Sequence, residues 1–217
     1  MSGPRVVLAS ASPRRRRFLA DLGFCLEVVP SGVDETQVDA DTPRATAIQL
    51  AYLKVTDVAR GRPAGDVVVG ADTVVVLGDR VLGKPQDARD ARAMLSSLRG
   101  KTHRVITGVA VARAGAGCLL DACETAVTMR TFSGLELEDY IRSGEPMDKA
   151  GAYAIQGRGA SLVARHEGCW CNVVGLPLIC LLKLLRQEID LQPTPLPCSC
   201  AEWPHRLAGP PPWEKWS

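Results

Sequence analysis

Apolar runs and helical periods alternate along the chain, and together they predict a mixed α/β fold. The run at residues 5–9 predicts a buried strand, and residues 24–29 predict a second one. Between them, residues 13–22 predict a helix, because Ser12 is a good N-cap residue and Pro13 suits the first helical position. A strand, a tight turn and a helix therefore open the chain.

The middle of the chain continues this alternation. An apolar stripe between residues 43 and 60 predicts a long helix, with Lys54 beside the stripe and able to reach around its edge. The apolar residues 67–70 are typical of a strand covered on both faces, and residues 74–77 and 81–82 flank a hairpin turn. The pattern then predicts, in order, a helix at 88–98, strands at 103–113 and 118–131, a helix from a capping box at Ser133 to Gly144, strands at 160–166 and 170–174, and a helix at 177–189.

The composition changes near residue 190, which predicts a domain at residues 1–189 followed by a tail at residues 190–217. Seven of the fifteen prolines and three of the four tryptophans lie in that last segment. Such a density of proline opposes regular structure, so we expect a largely disordered tail.

Charge and composition exclude several classes of function. The 217 residues carry a net charge of +2, which provides no overall cationic field for nucleic acid. No segment approaches the roughly 20 apolar residues needed to span a bilayer, and the N-terminus lacks the layout of a signal peptide. The eight cysteines lack zinc-knuckle spacing and are expected to be reduced thiols. We therefore expect a cytoplasmic protein that binds neither membranes nor nucleic acid.

The first candidate for chemistry is the turn that precedes the first predicted helix. Ser10, Ser12 and the four arginines from Arg14 to Arg17 crowd the N-terminal end of that helix. The helix dipole disfavours positive charge there, by roughly 0.3–1 kcal/mol per residue at an exposed end. The arrangement makes sense where an anion docks, because backbone N–H groups, hydroxyls and guanidinium groups together hold a phosphate.

Acidic, basic and amide side chains elsewhere supply complementary groups. Asp72 lies between two valine runs, so it either ends a strand and satisfies a turn or is buried beside a cation, a metal or N–H donors. Lys84 is either a solvated loop lysine or a phosphate ligand, and Asp34 and Glu35 lie in a loop expected near the strand ends. Gln156 either belongs to a glycine-rich turn or offers the donor and acceptor needed to read a base edge.

Taken together, these residues are an inventory for metal-assisted chemistry on a polyphosphate. Cationic side chains would hold the phosphates, carboxylates would hold a divalent metal, and one carboxylate would activate water. The G-x-x-x-x-G-K-[ST] pattern of P-loop enzymes is absent from the sequence, and so is the H-E-x-x-H zinc motif.

The combination of motifs resembles the Maf family of nucleoside triphosphate pyrophosphatases over about residues 5–187. The motifs are S-x-S-P-R-R at 10–15, G-A-D-T at 70–73, Lys84-Pro85, the run from Gly144 to Gly157, and N-V-V-G-L-P at 172–177. The resemblance implies an inosine-triphosphatase-like α/β fold, with a mixed twisted sheet in two lobes around a central cleft. It also implies cleavage of a nucleoside triphosphate to the monophosphate and pyrophosphate, a Mg²⁺ or Mn²⁺ cofactor, and a homodimer.

The same resemblance assigns catalytic roles to four residues. Asp72 matches the family's proton acceptor and, with Glu35, a candidate metal ligand. Lys54 and Lys84 match cleft residues that bind metal or phosphate. Whether Asp72 takes the proton itself or only binds the metal stays open at this point.

Five residues match substrate-binding positions of the family. Ser10, Arg14 and Arg15 match its phosphate-binding turn, whereas Arg15, Thr73 and Gln156 match positions linked to substrate choice. The combination of Thr73 and Gln156 resembles the branch that acts on dTTP and UTP, and differs from the branch that acts on 7-methyl-GTP. The alternative is a regulatory nucleotide-binding protein linked to cell division, without significant turnover.

Overall fold

The computed structural model describes residues 5–38 and 40–191. These residues form two compact units. The first unit contains residues 5–38, 40–73, 106–123 and 175–191, and the second contains residues 74–105 and 124–174. The predicted tail lies, from residue 192 onward, outside the described residues.

A mixed sheet is the framework of the described part of the chain. Its seven strands there are β1 (Arg5–Leu8), β2 (Cys25–Val28), β3 (Val67–Leu77), β4 (Arg80–Leu82), β5 (Thr102–Arg113), β6 (Cys118–Met129) and β7 (Val163–Glu167). Their order is β2-β1-β3-β5-β6-β7, with β4 beside β3. β1 runs parallel to β2 and β3, whereas β4 is antiparallel to β3 and β7 is antiparallel to β6. The predicted mixed α/β class is confirmed.

Capping side chains mark the starts of the first four helices in the described part of the chain. They are α1 (Pro13–Asp21), α2 (Pro43–Ala59), α3 (Ala88–Leu98), α4 (Gly134–Arg142), α5 (Trp170–Val174) and α6 (Leu178–Glu188). The side chains of Ser12, Thr42, Asp87 and Ser133 each accept a backbone N–H in the first turn of the helix that follows. None of the helices within residues 5–38 and 40–191 is long and apolar enough to cross a membrane.

Helix α2 packs close to the strands of the first unit because two glycines face it. A Cβ atom on Gly108 of β5 would lie 2.2 Å from the Ala47 carbonyl oxygen, and one on Gly70 of β3 would lie 2.6 Å from Val55 Cγ1. Both distances are far shorter than a van der Waals contact. A side chain at Gly108 would require the backbone of α2 to move, whereas one at Gly70 would require the Val55 side chain to shift. Asp72 lies two residues beyond Gly70, on the same face of β3, and therefore meets α2 at close range.

Two expectations for the second unit differ from the structure. Residues 170–174, predicted as a strand, form α5, so that prediction is wrong. Asn172 within this helix is fully buried, and its amide donates two hydrogen bonds of 2.9 Å to acceptors on neighbouring strands. A five-residue element that is buried on nearly all sides has no hydrophobic period to separate helix from strand. In the segment 160–166, the chain becomes extended only from Val163, because a 3₁₀ helix precedes it.

Candidate active site

Asp72 lies in the interior of β3, which runs unbroken through the two valine runs that flank it. The residue is 7% exposed, and its Oδ1 accepts a hydrogen bond of 2.6 Å from the Lys54 ammonium. Lys54 is also 7% exposed and donates a second bond of 2.6 Å to Glu35 Oε1. The sequence predicts that Asp72 either ends a strand and satisfies a turn or is buried beside a cation, a metal or N–H donors. The structure shows it buried beside a cation.

Glu35 is supplied by a short 3₁₀ helix, Glu35–Gln37, in the loop that precedes α2. Asp34 caps this helix: its Oδ1 accepts the Thr36 N–H at 3.0 Å, and its Oδ2 accepts the Gln37 amide at 3.1 Å. The Asp34 carboxylate is thus engaged in its own turn, and Glu35 is the acidic residue of the pair that meets Lys54.

Burial raises the pKa of Asp72 above its ordinary value. The positive charges of Lys54 and Arg15 oppose this effect without cancelling it, and the negative charge of Glu35 adds to it. A carboxylate whose pKa lies closer to neutrality is a better proton acceptor at physiological pH. The environment of Asp72 is therefore suited to general base catalysis.

The guanidinium group of Arg15 is held on three sides within the first unit. Its Nε donates to the Gly175 carbonyl at 2.8 Å, its Nη1 to the Ser10 hydroxyl at 3.1 Å, and its Nη2 to the Thr73 hydroxyl at 3.2 Å. Gly175 has a φ of +117°, a backbone conformation that favours glycine. The three hydrogen bonds hold Arg15 against the hydroxyls of Ser10 and Thr73, two residues that the motifs predict to bind substrate.

Arg15 and the hydroxyl residues around it, Ser10, Thr73 and Thr107, are together called the Arg15 group. Electrostatic interactions link Arg15 to the carboxylates. Burial lowers the pKa of Arg15, Asp72 and Glu35 act in the opposite direction, and the positive charge of Arg14 lowers that pKa further. Arg14 itself is half-buried in the first turn of α1. The first unit therefore gathers Arg14, Arg15 and Lys54 with two carboxylates.

Asp72 and Glu35 together fit a divalent metal that arrives with a polyphosphate. Their oxygens already converge on one cation, the Lys54 ammonium. Mg²⁺ is usually bound by one or two carboxylates together with waters and substrate phosphates. Across residues 5–38 and 40–191, no group of three or more His, Cys, Asp or Glu side chains could hold a metal ion. A metal held here would need oxygens from the substrate or water to complete its coordination.

The sequence of this chain matches the family described as Maf-like protein over residues 5–188. The chain belongs to the Maf family. The resemblance read from the motifs is thereby confirmed, and the matched segment includes both residue groups described above.

Relatives of this Maf protein carry consistent names. The dTTP/UTP pyrophosphatase of Anaeromyxobacter dehalogenans is 49% identical over 187 residues, which are 85% of this chain and 94% of that protein. The dTTP/UTP pyrophosphatase of Moorella thermoacetica is 50% identical over 182 residues, 83% of this chain and 93% of that protein. Among solved structures, the Staphylococcus aureus Ham1 protein matches with a TM-score of 0.48 and 13% identity, over 85% of this chain and 100% of that one.

Two residues assigned by the Maf resemblance belong to the second unit. Lys84 is exposed between β4 and α3, and Gln156 is half-buried immediately before a 3₁₀ helix. Glu145 holds the start of that helix, because its carboxylate accepts the Arg158 and Gly159 N–H groups at 3.1 and 3.0 Å. The roles of Lys84 and Gln156 stay predictions.

One member of the Arg15 group was missed in the sequence. Thr107 of β5 is fully buried, and its hydroxyl lies 3.0 Å from that of Thr73. A threonine inside an apolar strand is ordinary, since β-branched residues favour strands. Only the pairing of β3 with β5 in the sheet order identifies it as a neighbour of the site.

Proposed function

We propose that this Maf protein is a nucleoside triphosphate pyrophosphatase that converts dTTP and UTP to the monophosphate and pyrophosphate. The observation that carries the proposal is the buried Lys54 ammonium shared by Asp72 and Glu35, in the same unit as the Arg15 group. Desolvation offsets most of the attraction between buried charges, so such a cluster adds little to stability alone. The names of relatives at 49–50% identity support the substrate class.

Ser10, Arg14 and Lys84 are proposed to hold the triphosphate. Negative charge moves onto the departing pyrophosphate as its bond to the α-phosphate breaks, and cations positioned beforehand stabilise that charge. The N-terminus of α1, which begins at Pro13 shortly after Ser10, adds backbone N–H groups that favour an anion. These residues would therefore act both in binding and in the transition state.

Asp72 is proposed to accept the proton of the attacking water. Its raised pKa places it nearer to the working pH than an ordinary aspartate. Lys54 orients the Asp72 carboxylate and keeps Glu35 beside it through its two hydrogen bonds. A Mg²⁺ or Mn²⁺ ion held by Asp72 and Glu35 would supply Lewis-acid polarisation of a phosphate oxygen.

Arg15, Thr73 and Gln156 are proposed to select the base. The Gln156 amide has both a donor and an acceptor, which matches the alternating carbonyl and imide groups of uracil and thymine. Arg15 Nη2 donates a hydrogen bond to the Thr73 hydroxyl and so holds it in place. We further propose that the protein acts in the cytoplasm, as its composition predicts, and that it forms a homodimer, as the family resemblance implies.

The decisive experiment is turnover of a panel of triphosphates by the purified full chain with Mg²⁺ or Mn²⁺. We expect pyrophosphate and monophosphate from UTP and dTTP, and little product from ATP or GTP. Release of orthophosphate and nucleoside diphosphate would contradict the proposed bond cleavage. Tight binding of UTP without any product would show that this Maf protein binds nucleotides without hydrolysing them.

A further inference from the structure

We propose that Thr107 is a positioning residue that determines which hydrogen-bonding group Thr73 presents to the substrate. The Thr73 hydroxyl donates its proton in a hydrogen bond to Thr107 Oγ1. Thr73 therefore offers only a lone pair to the ligand, and this lone pair accepts from the imide N–H of uracil or thymine. The inference rests on the proposed function, since it concerns the base that this site selects. It follows from the hydrogen bonds around Arg15.

Ser10 shows how the Arg15 guanidinium can fix the polarity of a hydroxyl. The Ser10 Oγ accepts one hydrogen bond from the Ser12 N–H at 3.2 Å and another from Arg15 Nη1 at 3.1 Å. A serine hydroxyl has two acceptor positions and one proton. Both acceptor positions are filled, so Ser10 can only donate to a ligand, which suits a phosphate oxygen.

Thr73 has the opposite arrangement. Its Oγ1 accepts one hydrogen bond from Arg15 Nη2 at 3.2 Å and lies 3.0 Å from Thr107 Oγ1. A hydroxyl that accepts from a cation is polarised and becomes a stronger donor. We therefore assign the Thr73 proton to the bond with Thr107. One acceptor position of Thr73 remains, and no proton remains for the ligand.

This polarity distinguishes pyrimidine bases that are otherwise similar in shape. Uracil and thymine carry a donor, the imide N–H, where cytosine carries an acceptor nitrogen. A site built to pair with a donor rejects an analogue that lacks it, because the buried polar group of the site is left unpaired. A sugar hydroxyl could also donate to Thr73, but all of these nucleotides share it and it would give no selection among bases.

The test measures binding of α,β-imido analogues of UTP and CTP by calorimetry, so it does not depend on turnover. Thr107→Val preserves shape in a buried strand and removes the hydroxyl. We expect it to reduce the UTP-over-CTP preference about tenfold, because the Thr73 proton is then free to turn towards cytosine. Thr107→Ser, which keeps the hydroxyl, should restore most of the preference.

Two controls make the result specific to the hydroxyl. Thr102→Val removes a hydroxyl from the same strand, where Thr102 pairs with Thr128 at 2.9 Å, and should leave the preference unchanged. In a Thr73→Val background, Thr107→Val should have no further effect on the preference, because it acts through Thr73. Thr107→Ala provides the same comparison if the valine variant does not fold.

Several results would overturn the inference. An unchanged preference in Thr107→Val would show that Thr107 does not set the polarity of Thr73. Equal losses in the valine and serine variants would indicate packing rather than hydrogen bonding. A parallel weakening of both analogues would assign Thr73 to the sugar instead of the base. Failure of the wild-type protein to release pyrophosphate would refute the proposed function and leave these binding results interpretable.

Discussion

The two units bury polar groups of different kinds. The first unit buries charges: Lys54 and Asp72 are each 7% exposed and in direct contact. The second unit buries a neutral pair: His103 and Tyr153 are 2% and 5% exposed, and His103 Nε2 lies 2.7 Å from the Tyr153 hydroxyl. Both arrangements pair polar side chains inside a core, but they differ in electrostatic cost.

The difference in charge distinguishes the candidate active site, which contains the Lys54–Asp72 pair, from a structural core, which contains the His103–Tyr153 pair. Burial lowers the pKa of His103 to about 4, so this imidazole stays neutral at physiological pH and makes an ordinary hydrogen bond. The Lys54–Asp72 pair instead places opposite charges in a low dielectric, where desolvation opposes their attraction. Because such a pair contributes little net stability, its presence indicates a functional role, such as binding a charged ligand or transferring a proton. The comparison therefore predicts loss of activity from changes at the buried Lys54–Asp72 pair and loss of stability alone from changes at the buried His103–Tyr153 pair.

The largest effect is expected for Asp72→Asn. The substitution keeps the shape of the side chain but removes the proton acceptor and a candidate metal ligand, so kcat on UTP should fall about 10³-fold. Steady-state release of pyrophosphate measures this. Asp66→Asn is the matched control, because Asp66 pairs with Arg5 and Arg62 outside the site and should keep near-wild-type kcat. A wild-type kcat in Asp72→Asn would remove Asp72 from the chemistry.

Lys54→Met is expected to have the next largest effect, on stability. Its loss leaves Asp72 buried without the cation beside it, which costs about 3 kcal/mol in the free energy of unfolding near pH 8. Urea denaturation of the single variant, of Asp72→Asn and of the double variant measures the coupling. The double variant should recover most of the loss, since no lone charge remains. A double variant as unstable as Lys54→Met would mean that Lys54 contributes by packing alone.

The local parts of this architecture could be predicted from the sequence, and the long-range parts could not. Helix starts at Ser12 and Ser133 follow from capping chemistry within a few residues. The contact between Lys54 and Asp72 depends on Gly70, which lets α2 approach β3, and no local pattern encodes that distance. Thr107 was missed for the same reason, because its role depends on a strand pairing between residues far apart in the chain.

His103 should make the free energy of unfolding depend on pH. Its pKa is about 4 in the folded protein and near 6.5 in the unfolded chain, so between these values the unfolded state binds more protons. The free energy of unfolding should therefore decrease as the pH falls from 6.5 to 4, by about 2–3 kcal/mol from this residue. Denaturation of wild type and His103→Gln across this interval isolates the contribution. Parallel curves would show that His103 does not titrate in this way.

Tyr153→Phe should produce the smallest effect and the clearest test of a purely structural role. Among the described residues, His103 Nδ1 has no hydrogen-bond partner, so the Tyr153 hydroxyl provides the bond that this buried ring makes. Removing it should lower the free energy of unfolding by about 1–2 kcal/mol, the cost of leaving a buried polar atom unpaired. Tyr52→Phe, at a tyrosine that is 40% exposed, should change it by less than about 0.5 kcal/mol. Equal changes in the free energy of unfolding of the two variants would mean that the His103–Tyr153 pair makes no specific contribution to stability. The contrast with the charged Lys54–Asp72 pair would then not hold.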